Sequence, residues 1–552
     1  MVECLAYNEK VSGSNPLSLI RILIKMGALT LKVFSDELRE WEFIEGEGID
    51  PTDSFGVSLR LSVRENQIFL AEPSEPSTPW LTDRGRLFFD GMFEKSSSSD
   101  LTDWEIFFDS IAESMYFIDH LNLQQRNVSS FLLVFENLNM ETLNMLYLLE
   151  QSCSVIKLKK AESHSVPNDL ESQYQLNEST QKPKLHMSTL GILLNTNTRH
   201  EGYVLNLNLR QRFLKGDFKL LSIGSMLDLT FPSYTLGSNL NVFKSIGEGT
   251  HLSCQDLKNA EFPVLIANTE LFKRSDSKNI IKILKHTNIV TSAWNGLNVL
   301  QHNISSTGIS LLNNFLPISN EDFVNFFGLY FINVSLNATP NFKKLTELQL
   351  LNTFSSKNNL NYTVFVDQNN SAERNKSVYD KVKLNLKAYN NYFYLPNNLF
   401  LEDNETYVNT QGLIKRTTKL IDFKKDAKSN WQITRKFYAN SKKIAFFNNK
   451  KDNELINFNS VNLFHFKNYA NFQYYAAQTL TSLSFYLTKR SKPVVKSLNT
   501  PIKSTKLKLL NTKLKSWLDD FFSNNGKDSF SYNSSVLVNC SKVARISSTN
   551  FF

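Results

Sequence analysis

The sequence predicts an α/β protein, with Rossmann-like parallel-sheet domains preceded by a small β-rich domain. Three observations lead there. First, an early stretch alternates with period two, "VSLRLSVR" at 57–64. Second, six short apolar runs recur later: Phe131–Phe135, Leu190–Leu194, Leu220–Ile223, Val264–Ala267, Leu329–Val334 and Thr363–Val366. Third, the segments between them are long enough for crossovers and often carry helical periodicity.

In the alternating stretch Val57, Leu59, Leu61 and Val63 share one face, and Ser58, Arg60, Ser62 and Arg64 the other. That period is a strand's. Glu65-Asn66-Gln67 turns it back into Ile68–Leu70 as a hairpin. "EPSEPSTP" (Glu72–Pro79) is a Pro-rich turn. Asp100 or Thr102 caps a predicted helix with Trp104, Phe107, Phe108, Ile111, Met115 and Tyr116 at helical spacing. The six apolar runs have the length of buried strands. "SDSKNIIKILKHT" is a helix with Ser275 as N-cap. Glu162–Lys184 has few large apolar residues and is expected as a surface loop. Beyond Phe437 the pattern loosens. The basic run Lys503–Lys515 places Leu507, Leu510, Leu514 and Trp517 at helical spacing, predicting an amphipathic helix that docks on a neighbour.

A chain of 552 residues has room for roughly three or four domains. Lys plus Arg is 61 and Asp plus Glu 53, so the net charge of +8 is a mild excess and no evidence for nucleic-acid binding by itself. Phe is 42 against 19 Gly and 6 Trp, with much Asn, Lys and Ile. That bias follows AT-rich codons, as in an organellar genome. No apolar run reaches the ~18 residues of a membrane span. The start has neither a signal peptide's apolar region nor the Arg-rich, acid-poor character of an import presequence. Cys4, Cys153, Cys254 and Cys540 are scattered, so no zinc or iron–sulphur spacing exists.

Several stretches together resemble one family, the large iron–sulphur subunit of respiratory complex I. The most specific is "LPNNLFLEDNETYVNTQGLIKRTTKLIDFKKDAKSNWQITRKF" at 395–437. It carries Leu395, Pro396, Glu405, Thr406, Tyr407, Val408, Asn409, Gly412 and Trp431 in the family's order, with Gln411 and Leu413 where the family has Glu and Arg. "REWEFIEGEGIDPTDSFG" supplies Trp41, Glu42, Ile49, Asp50, Asp53 and Gly56. "WLTDRGRLFFDGM" supplies Trp80, Asp83, Arg86, Asp90 and Gly91. "NTNTRHEGYVLNLNLRQRF" supplies Asn197, Arg199, Glu201, Asn206 and Arg210. "SIGSMLDLTFPSYTLGSN" supplies Gly224, Asp228, Leu229, Thr230, Leu236 and Gly237. "LFKRSDSKNI" and "WNGLNVLQHNISSTG" complete the series.

The resemblance covers roughly residues 19–437 and implies a molybdopterin-oxidoreductase-like fold without the cofactor. It implies a scaffold subunit of the matrix arm of mitochondrial NADH:ubiquinone oxidoreductase, at the inner membrane and encoded in the mitochondrial genome. The family's cluster-bearing N-terminal part is missing apart from "GALT" at 27–30, where Ile24 stands in a ligand cysteine's place. A split subunit is therefore expected, with the iron–sulphur half on a separate chain. Iron–sulphur clusters and FMN belong to partner subunits. Contacts are expected with other matrix-arm subunits and none with nucleic acid; the membrane is met only through the complex. The expected division is 1–35 as junction with the iron–sulphur half, 36–99 as small β-rich domain, 100–437 as α/β domains, and 438–552 as a basic extension.

No catalytic, cofactor-binding or metal-binding residue is assigned. "SIGS" at 222–225 is expected as a strand-end turn. "TYVNTQG" at 406–412 is expected as a packed turn, with Asn409 satisfying backbone groups and Gly412 supplying an unusual dihedral. Arg199, His200 and Glu201 have the makings of a charged catalytic trio, but the resemblance implies an internal ion-pair and hydrogen-bond network instead. Two rival readings are an active molybdopterin-dependent oxidoreductase fragment and an RNA-binding mitoribosomal protein.

Overall fold

The computed structural model describes residues 39–75, 80–91, 131–152, 156–161, most of 176–318, 328–334, 362–367, most of 392–422, 428–449, and pieces within 104–112, 509–514 and 534–537. The junction with Ile24, the Met115 end of the predicted helix, and three of the four cysteines lie outside the described residues.

The first sheet of the described residues is three-stranded and antiparallel, β1 (Ile44–Ile49), β2 (Ser58–Arg64) and β3 (Gln67–Pro73), in that spatial order. Leu59, Leu61 and Val63 are buried as their alternation requires. The β2–β3 turn places Glu65 and Asn66 at φ 50° and 63°, the left-handed pair of a tight hairpin. β1 has too many acids and glycines to be legible as a strand; pairing with β2 along its full length makes it one. A short helix, α1 (Asp83–Leu87), follows, capped by Thr82 Oγ1, which accepts from Gly85 N at 3.1 Å.

β4 (Phe131–Phe135), α2 (Met140–Ser152) and β5 (Ile156–Lys160) open a parallel sheet. A second parallel sheet is inserted there: β6 (Leu190–Leu194), α3 (Tyr203–Leu214), β7 (Lys219–Ile223), β8 (Tyr234–Gly237), α4 (Leu240–Gly247), β9 (Val264–Asn268), α5 (Ser277–His286) and β10 (Leu297–Leu300). Its order is β10-β9-β6-β7-β8. After α6 (Ile304–Leu312) the chain returns to the first parallel sheet with β11 (Gly328–Ile332), β12 (Tyr362–Asp367) and β13 (Tyr392–Pro396), giving β13-β12-β11-β4-β5. A hairpin of β14 (Thr406–Val408) and β15 (Ile414–Arg416) and the long helix α7 (Asn430–Asn449) complete it.

Five of the six predicted apolar runs lie within strands, and the sixth, Leu329–Val334, runs two residues past β11, where Asn333 turns the chain at φ 52°. β4, β6 and β9 are buried at every position, because helices or other chain cover both faces of a parallel sheet. β6 sends Ile192 and Leu194 to one core with Phe243 and Ile280, and Leu193 to the other with Leu205 and Leu209. Tyr330 and Phe437 pack in the first parallel sheet's core, their rings 5.2 Å apart.

Four expectations need correction. α5 starts one residue later than read, with Asp276 as N-cap. The end of the expected surface loop is buried: Leu176, Ser179 and Thr180 lie inside, and Asn298 Nδ2 donates to Ser179 Oγ at 2.8 Å. The described part of the basic run, 509–512 and 514, is not helical. It is a strap tied by Leu510 N to Asp276 Oδ2 at 2.9 Å and Leu514 N to Ser238 O at 2.9 Å, burying Leu514 and leaving Leu510 half exposed. The division at 437/438 falls inside α7. No helix among the described residues is long and apolar enough to cross a membrane.

Candidate functional site at the strand ends

In an open parallel sheet, ligands bind outside the carboxyl ends of the strands where the order reverses. In the inserted sheet that point lies between β6 and β9. The chain leaves β6 through Asn195 at φ 55° and the buried residues Thr196, Asn197 and Thr198. Asn197 caps the next turn, its Oδ1 accepting from Arg199 N at 3.1 Å. Thr198 Oγ1 donates to Asn206 Oδ1 at 2.9 Å, and Asn206 Nδ2 donates to Leu229 O at 3.2 Å. Glu201 Oε1 accepts from Asn268 Nδ2 at 2.7 Å, joining the ends of β6 and β9. Asn268 Oδ1 in turn accepts from Glu270 N at 3.1 Å. Beyond β10, His302 Nε2 lies 3.4 Å from Glu270 Oε1.

Glu201 and the His200 carbonyl sit in an interior hydrogen-bond network, but the Arg199 ion pair lies at the surface, with the Asp228 side chain 80% exposed. Arg199 pairs with Asp228 at 2.6 Å, and the His200 carbonyl accepts from Arg84 Nη2 at 2.9 Å. Burial, then Arg84 and Arg199, push the His200 imidazole down to about 3, so it is neutral at physiological pH. At the end of β7, Gly224 has φ 146°, and its N–H donates to Gly237 O at 2.9 Å: "SIGS" ends a strand in a turn.

"TYVNTQG" ties three parts of the chain together. Asn409 Nδ2 donates to Phe55 O at 3.0 Å, while its Oδ1 accepts from Gln411 N at 3.0 Å and Leu413 N at 2.8 Å. Gly412 has φ 78°. Thr410 N donates to Ser54 O, and Thr410 O accepts from Leu176 N. Asn409 thus satisfies backbone groups and Gly412 takes the left-handed conformation, as expected.

Beside this turn lie buried acids the sequence did not reveal. Glu405 accepts from Tyr407 Oη through a short hydrogen bond and from Asn139 Nδ2 at 2.6 Å. Glu141 Oε2 accepts from Thr406 N at 3.1 Å. Burial raises Glu405 to about 8 and Glu141 to about 7. At the β1–β2 loop, Asp53 Oδ1 accepts from Phe55 N and Gly56 N, and burial, then the Asp50 charge, raises it to about 7. Glu405 and Tyr407, two apart on one strand, have the period for a shared face. Nothing in the sequence joins them to Asn139, so far away in the chain.

Interleaved parallel α/β sheets with polar strand ends define a class, and the sequence match agrees. Residues 118–440, more than half of the chain, match the molybdopterin oxidoreductase family, and the chain belongs to it. Among curated relatives, it is 26% identical over 462 residues to the NADH-ubiquinone oxidoreductase 75 kDa subunit of Reclinomonas americana, covering 78% of this chain and 62% of that one. It is 24% identical to the mitochondrial NADH dehydrogenase [ubiquinone] iron-sulfur protein 1 of Solanum tuberosum, covering 78% and 55%. It is 23% identical to the mitochondrial NADH-ubiquinone oxidoreductase 78 kDa subunit of Neurospora crassa, covering 78% and 56%. The chain therefore spans between about half and three fifths of these relatives' length. Acetylene hydratase from Pelobacter acetylenicus matches in structure with a TM-score of 0.45 and 10% identity, covering 73% of this chain and 70% of that one, too loosely to carry an argument.

A pterin dinucleotide needs backbone N–H groups turned to its phosphates and glycines that let it approach. The described strand ends do not fit it. Asn197 occupies the β6 loop's cap, and Glu201 is drawn into a bond with Asn268. Glu201 is a buried carboxylate at this point and would meet phosphate with like charge, whereas Asp228 is already paired with Arg199. Gly202 makes room for Phe55: a Cβ there would lie 2.7 Å from that ring. Among the described residues no group of three His, Cys, Asp or Glu can hold a metal.

Proposed function

We propose that this chain is a scaffold subunit of the matrix arm of mitochondrial NADH:ubiquinone oxidoreductase, binding no molybdopterin and no metal of its own. The relatives named as subunits of that enzyme, each aligned over 78% of the chain, carry the reading. The strand ends support the second part: Glu201 Oε1 and Asn197 Oδ1 are already held by Asn268 Nδ2 and Arg199 N, and Asn197 Nδ2 is the buried donor left without a hydrogen bond there among the described residues.

In this reading the chain buttresses a cluster-bearing half supplied on a separate polypeptide and packs against other matrix-arm subunits. Electrons pass through FMN and iron–sulphur clusters in those partners. The membrane is met only through the complex, nucleic acid is no partner, and the chain is encoded in the mitochondrial genome.

Native electrophoresis with in-gel NADH dehydrogenase staining tests the assignment. Peptides of this chain belong in the stained band; finding them with ribosomes instead would refute it. Elemental analysis tests the cofactor reading, since stoichiometric molybdenum or tungsten in the purified chain would make it an active oxidoreductase of its family. An iron assay on the chain alone should find no cluster.

A further inference from the structure

We propose that the outer edge of the small sheet around Trp41 and Ile44 is a docking surface for a basic, apolar segment of another polypeptide in the same assembly. The proposal rests on reading the chain as one subunit of an assembly, and it names the surface and the chemistry of the neighbour.

Trp41 is 75% exposed and Ile44 70%, three residues apart where the chain enters β1. Trp41 is held in place there. Arg39 N donates to Glu42 Oε2 at 3.0 Å, Glu42 N donates to Arg39 O at 3.0 Å, and Arg64 Nη1 reaches Glu42 at 3.5 Å. The Arg39 guanidinium lies 5.0 Å from the indole centroid. The indole is presented on a fixed turn, so a partner gains its apolar surface at little ordering cost. β1 is also an edge strand. Thr418 N and Oγ1 donate to Glu47 O and cover one end of that edge. Among the described residues no backbone bond reaches Ile44 or Glu45 from outside, and an uncovered edge templates pairing.

Charge selects the occupant. Residues 39–47 read "REWEFIEGE", four Glu against one Arg. Arg60 is shared between Glu45 at 3.7 Å and Glu72 at 2.8 Å, and Arg64 between Glu42 at 3.5 Å and Glu65 at 3.6 Å. Glu47 has no ion pair among the described residues. The edge stays acidic, so the complementary neighbour brings Lys or Arg beside an apolar side chain.

The test places benzoylphenylalanine at position 41 of the tagged full chain, irradiates the assembled complex and maps the cross-linked peptide. The expected product joins position 41 to a Lys- or Arg-bearing segment of another subunit. Trp41→Ala and Ile44→Ser should each weaken retention in the complex, Trp41→Ala by roughly 30-fold. Leu252→Ser, at a residue 93% exposed elsewhere, should leave retention unchanged. An unchanged melting midpoint for Trp41→Ala establishes that loss of retention is not unfolding. Cross-links to residues 1–38 of the same chain, to a second copy, or to nothing would overturn the proposal, as would full retention of Trp41→Ala. Wild-type chain missing from the NADH dehydrogenase band, with a basic partner still cross-linked, refutes the functional reading and leaves the surface standing.

Discussion

Asn409 is almost fully buried, and its side chain serves one carbonyl and two N–H groups at once. Truncation leaves those groups without a partner, and each unmet buried group costs about 1–3 kcal/mol. Asn409→Ala should therefore lose about 2 kcal/mol or more in denaturant unfolding, against a few tenths for the half-buried neighbour in Gln411→Ala. Glu405 and Glu141 tie stability to pH. Folded, they hold protons up to about 8 and about 7, against 4.5 for an ordinary glutamate. Between those limits the native state binds more protons than the unfolded chain, so stability falls as pH rises. The contribution is fully present below the unfolded value and lost through the folded one. Melting midpoints should thus decline from pH 5 to about 8, and Glu405→Gln should flatten that decline. A midpoint that rises across the window in wild type, with no change in the variant, would contradict the assignment.

At the scale of elements, the strap at 509–514 behaves like a segment whose side chains respond to what lies beneath them. Leu514 is buried in the core of the inserted sheet, near β8 and α4, and Leu509 packs against that core, while Leu510 is 45% exposed. Helical spacing predicted one apolar face for both. The backbone chose otherwise, because Asp276 Oδ2 and Ser238 O accept from Leu510 N and Leu514 N along an extended path, and Asn239 Nδ2 donates to the Asn511 side chain between them. Leu514→Ala should cost ~2–3 kcal/mol. Leu510→Ala should cost much less, and equal losses would restore the helical picture. α7 shows the reverse case: Trp431, Ile433, Phe437 and Tyr438 are buried against the first parallel sheet, and the helix continues past the point where the sequence pattern fades.

For the whole molecule, the small sheet is structurally dependent on distant chain. Its core of Ile49, Leu59, Leu61, Val63 and Phe88 is completed by Ile304, Phe400, Leu401, Tyr407 and Ile421. The β14–β15 hairpin and its flanks thereby close a domain that starts some 350 residues earlier. A peptide of residues 39–91 lacks that cover and falls in the size range where even a complete core is marginal. It should remain unfolded by circular dichroism, and a cooperative melt would show that the sheet needs no help. The inserted sheet, with its strands consecutive in the chain, is the better candidate for independent folding.

What the sequence determined by itself was local or periodic. Period two placed β2 and its hairpin, and runs such as "FLLVF" and "LGILL" placed strands buried on both faces. The order of the motifs pointed to the family. Local pattern also anticipated the Asn409 turn, because Asn and Gly at tight turns act on their own neighbours, as Asn409 Oδ1 does on Gln411 N and Leu413 N. Only the tertiary structure decided the rest. It made β1 a strand by pairing it with β2, inserted one sheet into another, and brought Glu141 and Asn139 against Glu405. It also buried Leu514 in an extended strap and left Trp41 in water on a fixed turn. The reason is physical: burial and desolvation depend on which distant segments meet, and no spacing along the chain encodes that meeting.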